Sequence, residues 1–305
     1  MKHLVPLICL LLCFYISKAQ KAIYVYKSPG DSTQNFYIKR LPHGPIKGLL
    51  VINLRSVSDS SKTYALDHGI MLMGVIAISP DSALQYLTST QALDRTDRMI
   101  TEVVNQYHIP SNKVIIGGMS VGGTGALRYV EYCKAGSSKG KINPIGCFAV
   151  DPPLDYERFY RASNDAVQRN FNQDAVEEGK AVIQLLRSTL KGTPFSNAKA
   201  YQQASVFSYS SESGSNAKLL TDVAIRLYTE PDINWWIENR RRSYYDFNSI
   251  DCAALVNQLK LNSNSKAELI VTSNKGYQED GTKHPHSWSI VNEKDLLNWC
   301  IELFN

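Results

Sequence analysis

Short apolar runs alternate with amphipathic segments through the first half of the chain. Four of these runs are apolar at nearly every position and lie beside Gly- or Pro-containing turns, which is typical of strands buried on both faces; they are residues 48–54, 74–79, 113–117 and 145–150. Between two of them, residues 94–107 carry apolar side chains at helical spacing. Strands that are apolar throughout and alternate with helices predict an α/β fold, with a mostly parallel sheet covered by helices on both faces.

Residues 154–216 interrupt this alternation. Their pattern predicts helices joined by polar connections and no strand. Four further runs are strand-like: residues 22–26 and 34–38 near the start of the chain, and residues 223–228 and 267–272 in its second half. The first two of these runs predict an antiparallel hairpin. We therefore expect a core formed by residues 20–153 and 217–305, with residues 154–216 inserted as a helical cap over the sheet.

The N-terminal residues predict a signal peptide. Lys2 precedes an apolar run over residues 4–16, and small residues lead to a cleavage site after Ala19. That run is too short to cross a bilayer comfortably, and no later apolar run is long enough for a membrane helix. A lipid anchor at Cys13 is less favoured because the large Leu12 precedes it. We expect residues 1–19 to be removed and the mature chain to be exported, to the periplasm or the medium, without a membrane span.

Charge and cysteine content exclude some classes of partner. Removal of residues 1–19 takes away Lys2 and Lys18 and no acid, so the formal net charge falls from +5 to +3. This charge is too small and too dispersed to indicate a nucleic-acid partner. The cysteines that remain contain no CxxC pair, so we expect neither a zinc site nor another cofactor; they are Cys133, Cys147, Cys252 and Cys300. Buried free thiols and one disulfide are both compatible with this spacing.

The strongest chemical signal is the segment Gly118-Met119-Ser120-Val121-Gly122, which lies between a predicted strand and a predicted helix. A serine hydroxyl becomes a nucleophile only when it is held against a base and clear of its own backbone. A tight turn achieves this, and glycines on either side avoid collisions with the neighbouring strand and helix. The N-terminus of the following helix favours developing negative charge. We therefore predict that Ser120 is a nucleophile.

The stretch from Tyr107 to Gly123 resembles the α/β-hydrolase superfamily, and in particular its branch of esterase D, feruloyl esterase and polyester depolymerase-like proteins. The resemblance lies in a helix, a short turn, a strand and then G-x-S-x-G-G. It implies an α/β-hydrolase fold and a catalytic triad that follows the chain order Ser, acid, His. It extends over the sheet regions but not over residues 154–216, for which the superfamily suggests no counterpart.

Two histidines follow the predicted nucleophile, His284 and His286. Both lie after the last predicted strand and before the closing helix, where the superfamily places its catalytic histidine. His286 is our first choice because His286-Ser287-Trp288 is similar to a motif of many esterases, and His284 is the alternate. A metal site at His-x-His is less favoured because suitably spaced carboxylates or cysteines are not nearby.

Three carboxylates are candidates for the acid that orients the imidazole. Asp232 is our first choice because it ends the turn after residues 223–228, where the resemblance implies the acid. Glu230, two residues earlier, is the second, since Thr229 replaces the usual glycine of that turn. Asp151 is the third; it ends the preceding strand, where some members of the superfamily carry the acid.

An oxyanion hole needs two backbone N–H groups. Val121, the residue after the nucleophile, is predicted to supply one of them. The second should come from the loop after the first buried strand, where the usual His-Gly is missing. That departure leaves the second donor open between Leu54 and Arg55.

Two further groups lie close to Asp232 in the sequence. Trp235 and Trp236 are candidates for a pocket wall or for core packing. The run from Arg240 to Arg242 is expected to be a solvated helix face, although it would be able to grip a substrate carboxylate if the helix leaned over the site.

The sequence therefore predicts a serine hydrolase that acts on a small-molecule or polymer-linked carboxylic ester through an acyl-enzyme. Two alternatives stay open. The same triad would serve a peptidase of the prolyl oligopeptidase type, and a hydrolase fold can also act as a non-catalytic binding protein.

Overall fold

The structure of the chain is a computed structural model that describes residues 23–28, 31–54, 57–78 and 80–305. The predicted signal peptide lies outside these residues. The strands within them are β1 (Ile23–Ser28), β2 (Asp31–Arg40), β3 (Gly48–Asn53), β4 (Ile70–Ile76), β5 (Val114–Met119), β6 (Gly146–Val150), β7 (Ala224–Thr229) and β8 (Ala267–Val271). They form a sheet in the order β1-β2-β4-β3-β5-β6-β7-β8. The β1–β2 and β2–β4 pairs are antiparallel, and every pair from β4 to β8 is parallel.

Helices occupy the connections between the strands. The α-helices are α1 (Asp59–Asp67), α2 (Thr90–Gln106), α3 (Val121–Lys134), α4 (Tyr156–Arg169), α5 (Gln173–Thr189), α6 (Ala198–Ala204), α7 (Ile233–Arg240), α8 (Asn248–Leu261) and α9 (Glu293–Phe304). Short 3₁₀ helices lie at Pro80–Leu87, Ser215–Leu220, Tyr244–Asp246 and Trp288–Ile290. In the described ranges, no helix is both long enough and apolar enough to cross a membrane.

The central strands are buried on both faces, as their uninterrupted apolar sequences predict. In β3 every residue is buried. Leu49 and Val51 belong to a core cluster on one face of the sheet, with side chains of α2, α3 and α8. Leu50 and Ile52 belong to a cluster on the other face, with side chains of α1 and α9. Because successive side chains of a strand point to opposite faces, one apolar strand contributes to two cores.

The segment between β6 and β7 is helical and has an apolar cluster of its own. Tyr156 and Tyr160 of α4 pack there with Val182 and Leu186 of α5. A buried ion pair joins this segment to α8: Arg158 Nε donates to Asp251 Oδ1 over 2.8 Å. The helices of residues 154–216 agree with the pattern of the sequence, and their division from the core as a cap stays a prediction.

The parallel register aligns the ends of three strands. Met119 of β5 pairs with Val150 of β6, and Val150 pairs with Tyr228 of β7. The residues that follow β5 and β6, Ser120 and Asp151, therefore lie side by side at the carboxyl edge of the sheet. Ligands of open α/β sheets bind at this edge.

Candidate active site

Ser120 is held in a backbone conformation that L-residues rarely adopt. Its φ is 54° and its ψ is −130°, between the end of β5 and the first turn of α3. The strained peptide is fixed from the sheet side, because the Ser120 N–H donates to the carbonyl of Val150 over 2.8 Å. Such conformations cost roughly 1–3 kcal/mol and are concentrated at functional sites. The serine is half-buried rather than enclosed.

The glycines of this turn are required by close approach. A Cβ at Gly118 would lie 2.7 Å from the carbonyl carbon and oxygen of Gly122. A Cβ at Gly122 would lie 3.1 Å from the carbonyl oxygen of Asn53. The first contact is impossible without movement of α3 and the second is tighter than usual. The predicted reason for both glycines, a collision with neighbouring strand and helix, is confirmed.

The backbone N–H groups predicted to form the oxyanion hole differ in whether they are free to donate. Val121 is the first residue of α3, a position whose N–H has no acceptor within the helix. Leu54 is not available as a donor, because its N–H is already bonded to the carbonyl of Val75 over 3.1 Å. The expectation for Leu54 is thus corrected: the residue continues the hydrogen bonding of β3 to β4. Arg55 lies outside the described residues.

His286 is paired with Asp151. The imidazole Nδ1 lies 2.6 Å from Asp151 Oδ2, while the carboxylate Oδ1 accepts a hydrogen bond from Thr229 Oγ1 over 2.9 Å. The Asp151 side chain is 7% exposed and that of His286 is 23% exposed. Burial lowers the pKa of His286, but the hydrogen bond and charge of Asp151 outweigh it, so the pKa is raised above its ordinary value. Asp151 thus favours the protonated imidazole.

The first choice for the acid, Asp232, is not the partner of His286. Its carboxylate accepts the backbone N–H of Trp235 over 3.1 Å, which caps α7, and it forms an ion pair with Lys283. The physical reason is that Asp232 begins a new helix, and an aspartate at that position is drawn to the free N–H groups of the first turn. This corrects the pairing we expected for Asp232.

Glu230, the second choice, is also engaged elsewhere. Its carboxylate is buried and accepts the backbone N–H groups of Asn274 and Lys275 over 3.0 and 3.1 Å. It therefore anchors the start of the loop that leads to His286. Asp151 was only the third choice from the sequence. One signal for it was present, because it is an acid that directly follows β6, the next strand after the predicted nucleophile.

His284 lies close to His286 but in a different environment. Its ring centroid is 4.6 Å from that of Trp235 and 6.3 Å from that of His286. Burial and the neighbouring His286 lower the pKa of His284 to about 4, so the ring is neutral at pH 7. Its Nδ1 is buried and has no hydrogen-bond partner among the described residues.

One cavity brings these groups together. Ser120 and His286 both line it, with Val121 and Asp151 on the sheet side. The helices α4, α5 and α7 and the segment between α7 and α8 supply the rest of the lining, whose aromatic and charged side chains are Phe159, Glu178, Trp236, Arg240, Arg242 and Phe247. The sequence analysis did not identify Phe159, Glu178 and Phe247, since no motif or periodicity distinguishes the residues of these segments that line the cavity.

The structure also bears on metal ligation and disulfide bonding. Over residues 23–28, 31–54, 57–78 and 80–305, no group of three or more His, Cys, Asp or Glu side chains is arranged to hold a metal ion. Cys133, Cys147, Cys252 and Cys300 are buried free thiols, which decides between the two possibilities left open by their spacing.

Comparison with known proteins gives matches at the level of structure only. No family model and no curated protein matches the sequence. A hormone-sensitive lipase from a metagenome library superposes with a TM-score of 0.54 at 12% identity, over 93% of this chain and 86% of the lipase. An S-formylglutathione hydrolase from Agrobacterium tumefaciens gives a TM-score of 0.53 at 11% identity, over 94% of this chain and 95% of that enzyme. The chain has the α/β-hydrolase fold.

A further α/β-hydrolase neighbour is the acylaminoacyl peptidase of Pyrococcus horikoshii, with a TM-score of 0.55 at 12% identity. The match covers 95% of this chain but 42% of the peptidase. The α/β-hydrolase resemblance of the sequence is confirmed by these structures, and identities this low show the fold alone.

Proposed function

We propose that the protein is a serine hydrolase that cleaves carboxylic esters, with Ser120 as nucleophile, His286 as general base and Asp151 as the acid that orients it. The observation that carries the proposal is the position of the His286–Asp151 pair in the same cavity as Ser120, which stands on a strained turn at the edge of the sheet. A reactive serine needs a base within reach and a third group that holds the base.

The hydrogen bond to Asp151 determines which nitrogen of His286 acts as the base. Because the Nδ1–H group donates a hydrogen bond to the carboxylate, Nε2 of the neutral ring carries the free lone pair. In the proposed reaction, Nε2 takes the proton of Ser120 Oγ while that oxygen attacks the ester carbonyl. The alcohol then leaves with this proton, and water, activated by the same nitrogen, hydrolyses the acyl-enzyme.

The start of α3 is the proposed site of the oxyanion. The N–H of Val121 and the positive end of the helix dipole favour the negative charge of the tetrahedral intermediate. Loss of one such donor typically costs about a hundred- to thousandfold in rate.

We favour an ester over an amide as the substrate because the two neighbours that are matched over most of their own length are named lipase and S-formylglutathione hydrolase, and not peptidase. The structures named lipase and S-formylglutathione hydrolase are matched over 86% and 95% of their length, and the acylaminoacyl peptidase over 42%. The peptidase alternative keeps the same triad, so it is separated by substrate and not by geometry.

The test is a substrate panel with the full chain. Esters of 4-nitrophenol with acyl chains of increasing length, acetylated and feruloylated sugars, and aminoacyl 4-nitroanilides are assayed with wild type, Ser120→Ala and, as a matched control, Ser188→Ala on the exposed side of α5. We expect ester turnover that Ser120→Ala abolishes and Ser188→Ala retains. Turnover of the anilides alone would favour a peptidase. No Ser120-dependent turnover of any substrate would favour a binding protein on a hydrolase fold.

A further inference from the structure

Two arginines lie in the cavity that Ser120 and His286 line. Arg240 ends α7 and Arg242 follows two residues later, and both side chains line this cavity. They are largely buried, with 17% and 14% of the side-chain surface exposed. Arg241 between them has a φ of 50° and turns away, so that its guanidinium lies 4.8 Å from the ring centre of the exposed Phe171. The left-handed residue between them thus lets Arg240 and Arg242 share one wall.

The charges of this pair are only loosely balanced by the protein. The nearest carboxylate oxygens to Arg242 and Arg240, from Glu178 and Asp174, are each 3.8 Å away, beyond a normal hydrogen bond. Glu178 is 55% exposed and Asp174 is 84% exposed, so water screens both pairs. Arg240 also donates to the side-chain oxygen of Asn172, which is neutral.

One donor of Arg242 is not used by any of the described residues. Its Nε is buried and has no hydrogen-bond partner among the residues that the structure describes. Burial lowers the pKa of Arg242, and the positive charges of Arg158 and Arg240 lower it further against the pull of Glu178 and Asp246. A buried guanidinium with an unused donor is costly, and it gains most from an anion that enters the cavity.

A structural arginine of the same region shows the contrast. Arg158 is also buried, but its Nε and Nη2 bind both oxygens of Asp251. Its Nη1 donates to the carbonyl of Asp246 over 3.1 Å, and its Nη2 also donates to the side chain of Asn248 over 2.9 Å. The protein therefore satisfies the arginine that joins α4 to α8 and leaves donor capacity at Arg242, which lines the same cavity as Ser120.

We infer that Arg240 and Arg242 form a carboxylate-binding subsite, and that the preferred substrates are esters with a carboxylate a few bonds from the scissile carbonyl. The inference rests on the proposed function, because it places this subsite beside the reacting Ser120. A planar guanidinium binds a carboxylate through two parallel N–H groups. A neutral ester without a carboxylate cannot accept this pair of charged hydrogen bonds. Trp236 lies under Arg242, with 5.6 Å between guanidinium and ring centre, and supplies an apolar wall for the rest of the substrate.

The carboxylate can belong to the acyl group or to the alcohol, and two matched substrate pairs separate these sources. For the acyl side, monomethyl succinate is compared with its neutral isostere methyl succinamate. For the alcohol side, acetoxyacetate is compared with acetoxyacetamide. In each pair, size and ester chemistry are nearly constant and only the charge differs. We expect wild type to prefer the charged member of at least one pair by about 10- to 100-fold in kcat/KM, which is the usual effect of a charged hydrogen-bonded pair.

Variants connect this preference to the two arginines. Arg242→Gln and Arg240→Gln should each reduce the ratio of kcat/KM between charged and neutral members by at least about tenfold. Arg241→Gln is the matched control from the same run and should keep the wild-type ratio, since its side chain lies over Phe171. Glu178→Gln should raise the ratio, because the substrate then no longer competes with this carboxylate for Arg242.

The outcomes separate this inference from the proposed function. Ester turnover that depends on Ser120 but shows no charge preference in either pair would overturn the subsite and leave the hydrolase proposal standing. A preference that survives both Arg240→Gln and Arg242→Gln would also overturn it. If the protein turns over none of the esters and Ser120 does not react with a fluorophosphonate, the hydrolase proposal itself fails.

Discussion

His286 and Asp151 form a hydrogen-bonded pair of 2.6 Å across 135 residues of sequence. The pairing depends on the sheet: Asp151 follows β6, the direct neighbour of the strand that carries Ser120, and its own backbone is held by an N–H bond of 2.8 Å to the carbonyl of Tyr228. The loop that carries His286 reaches back over β7 to meet it. The proposed nucleophile, base and acid therefore come from two adjacent strand ends and one loop.

The first prediction concerns the choice among the three carboxylates. Asp151→Asn should reduce kcat by about 10⁴-fold, because the amide no longer holds the imidazole in the required tautomer. Asp232→Asn should change kcat by less than about tenfold, since asparagine also caps a helix and Asp232 binds Lys283 rather than His286. Steady-state kinetics with one ester decides the matter. A large loss in Asp232→Asn with little loss in Asp151→Asn would reverse our assignment.

The second prediction is a pH profile. The base must be neutral to act, so kcat/KM should rise with pH as His286 loses its proton, and Asp151 places this rise above the ordinary histidine value of 6.5. In Asp151→Asn the supporting charge is gone and burial remains, so the residual activity should rise at lower pH than in wild type. His284, with a pKa near 4, is neutral through this range. If kcat/KM of Asp151→Asn rises at the same pH as that of wild type, a group other than His286 controls the pH dependence.

The third prediction tests the glycine turn. Gly118→Ala should lower stability by about 1–3 kcal/mol and activity by more than tenfold, because the new methyl group meets the backbone of Gly122 at 2.7 Å and must displace α3. Gly44→Ala is the control, since a Cβ there has no neighbour within 4 Å and its φ is not left-handed. Thermal unfolding and ester turnover are measured together. Equal behaviour of the two variants would contradict the close approach.

The fourth prediction concerns the ion pair between α4 and α8. Asp251→Asn should destabilise the fold by about 3–5 kcal/mol, because it leaves the buried guanidinium of Arg158 without its counter-charge. Asp222→Asn, which removes an ion pair with Lys134 at an aspartate that is 68% exposed, should stay within about 0.5 kcal/mol of wild type. Urea unfolding gives both values. A small effect in Asp251→Asn would mean that this pair does not tie the helical segment to the core.

The sheet could be predicted from the sequence because burial on both faces leaves a direct trace. The runs at residues 113–117 and 145–150 correspond closely to β5 and β6, since a strand covered on two sides has no polar position. The predicted strand at residues 74–79 begins too late in the sequence, because β4 is Ile70–Ile76. The nucleophile turn was visible because its glycines have a local steric cause.

The partners of the site were harder to predict because they depend on contacts between distant segments. Asp232 and Asp151 both follow a strand, and only the path of the loop before His286 decides which of them the imidazole reaches. Leu54 was a reasonable oxyanion donor by position, but one further bond of β3 to β4 removes its N–H. The proposed role of Arg242 could be inferred only from the cavity, since no periodicity of the sequence distinguishes a guanidinium in a cavity from one on a solvated helix face.

The most direct test of the account is covalent labelling of the nucleophile. The full chain is treated with a fluorophosphonate, and the adduct is located by mass spectrometry of peptides, with Ser120→Ala and His286→Gln treated in parallel. The account predicts one adduct, on Ser120, that is absent in Ser120→Ala and forms far more slowly in His286→Gln. A folded wild-type protein that forms no adduct, or an adduct that persists in Ser120→Ala, would contradict it.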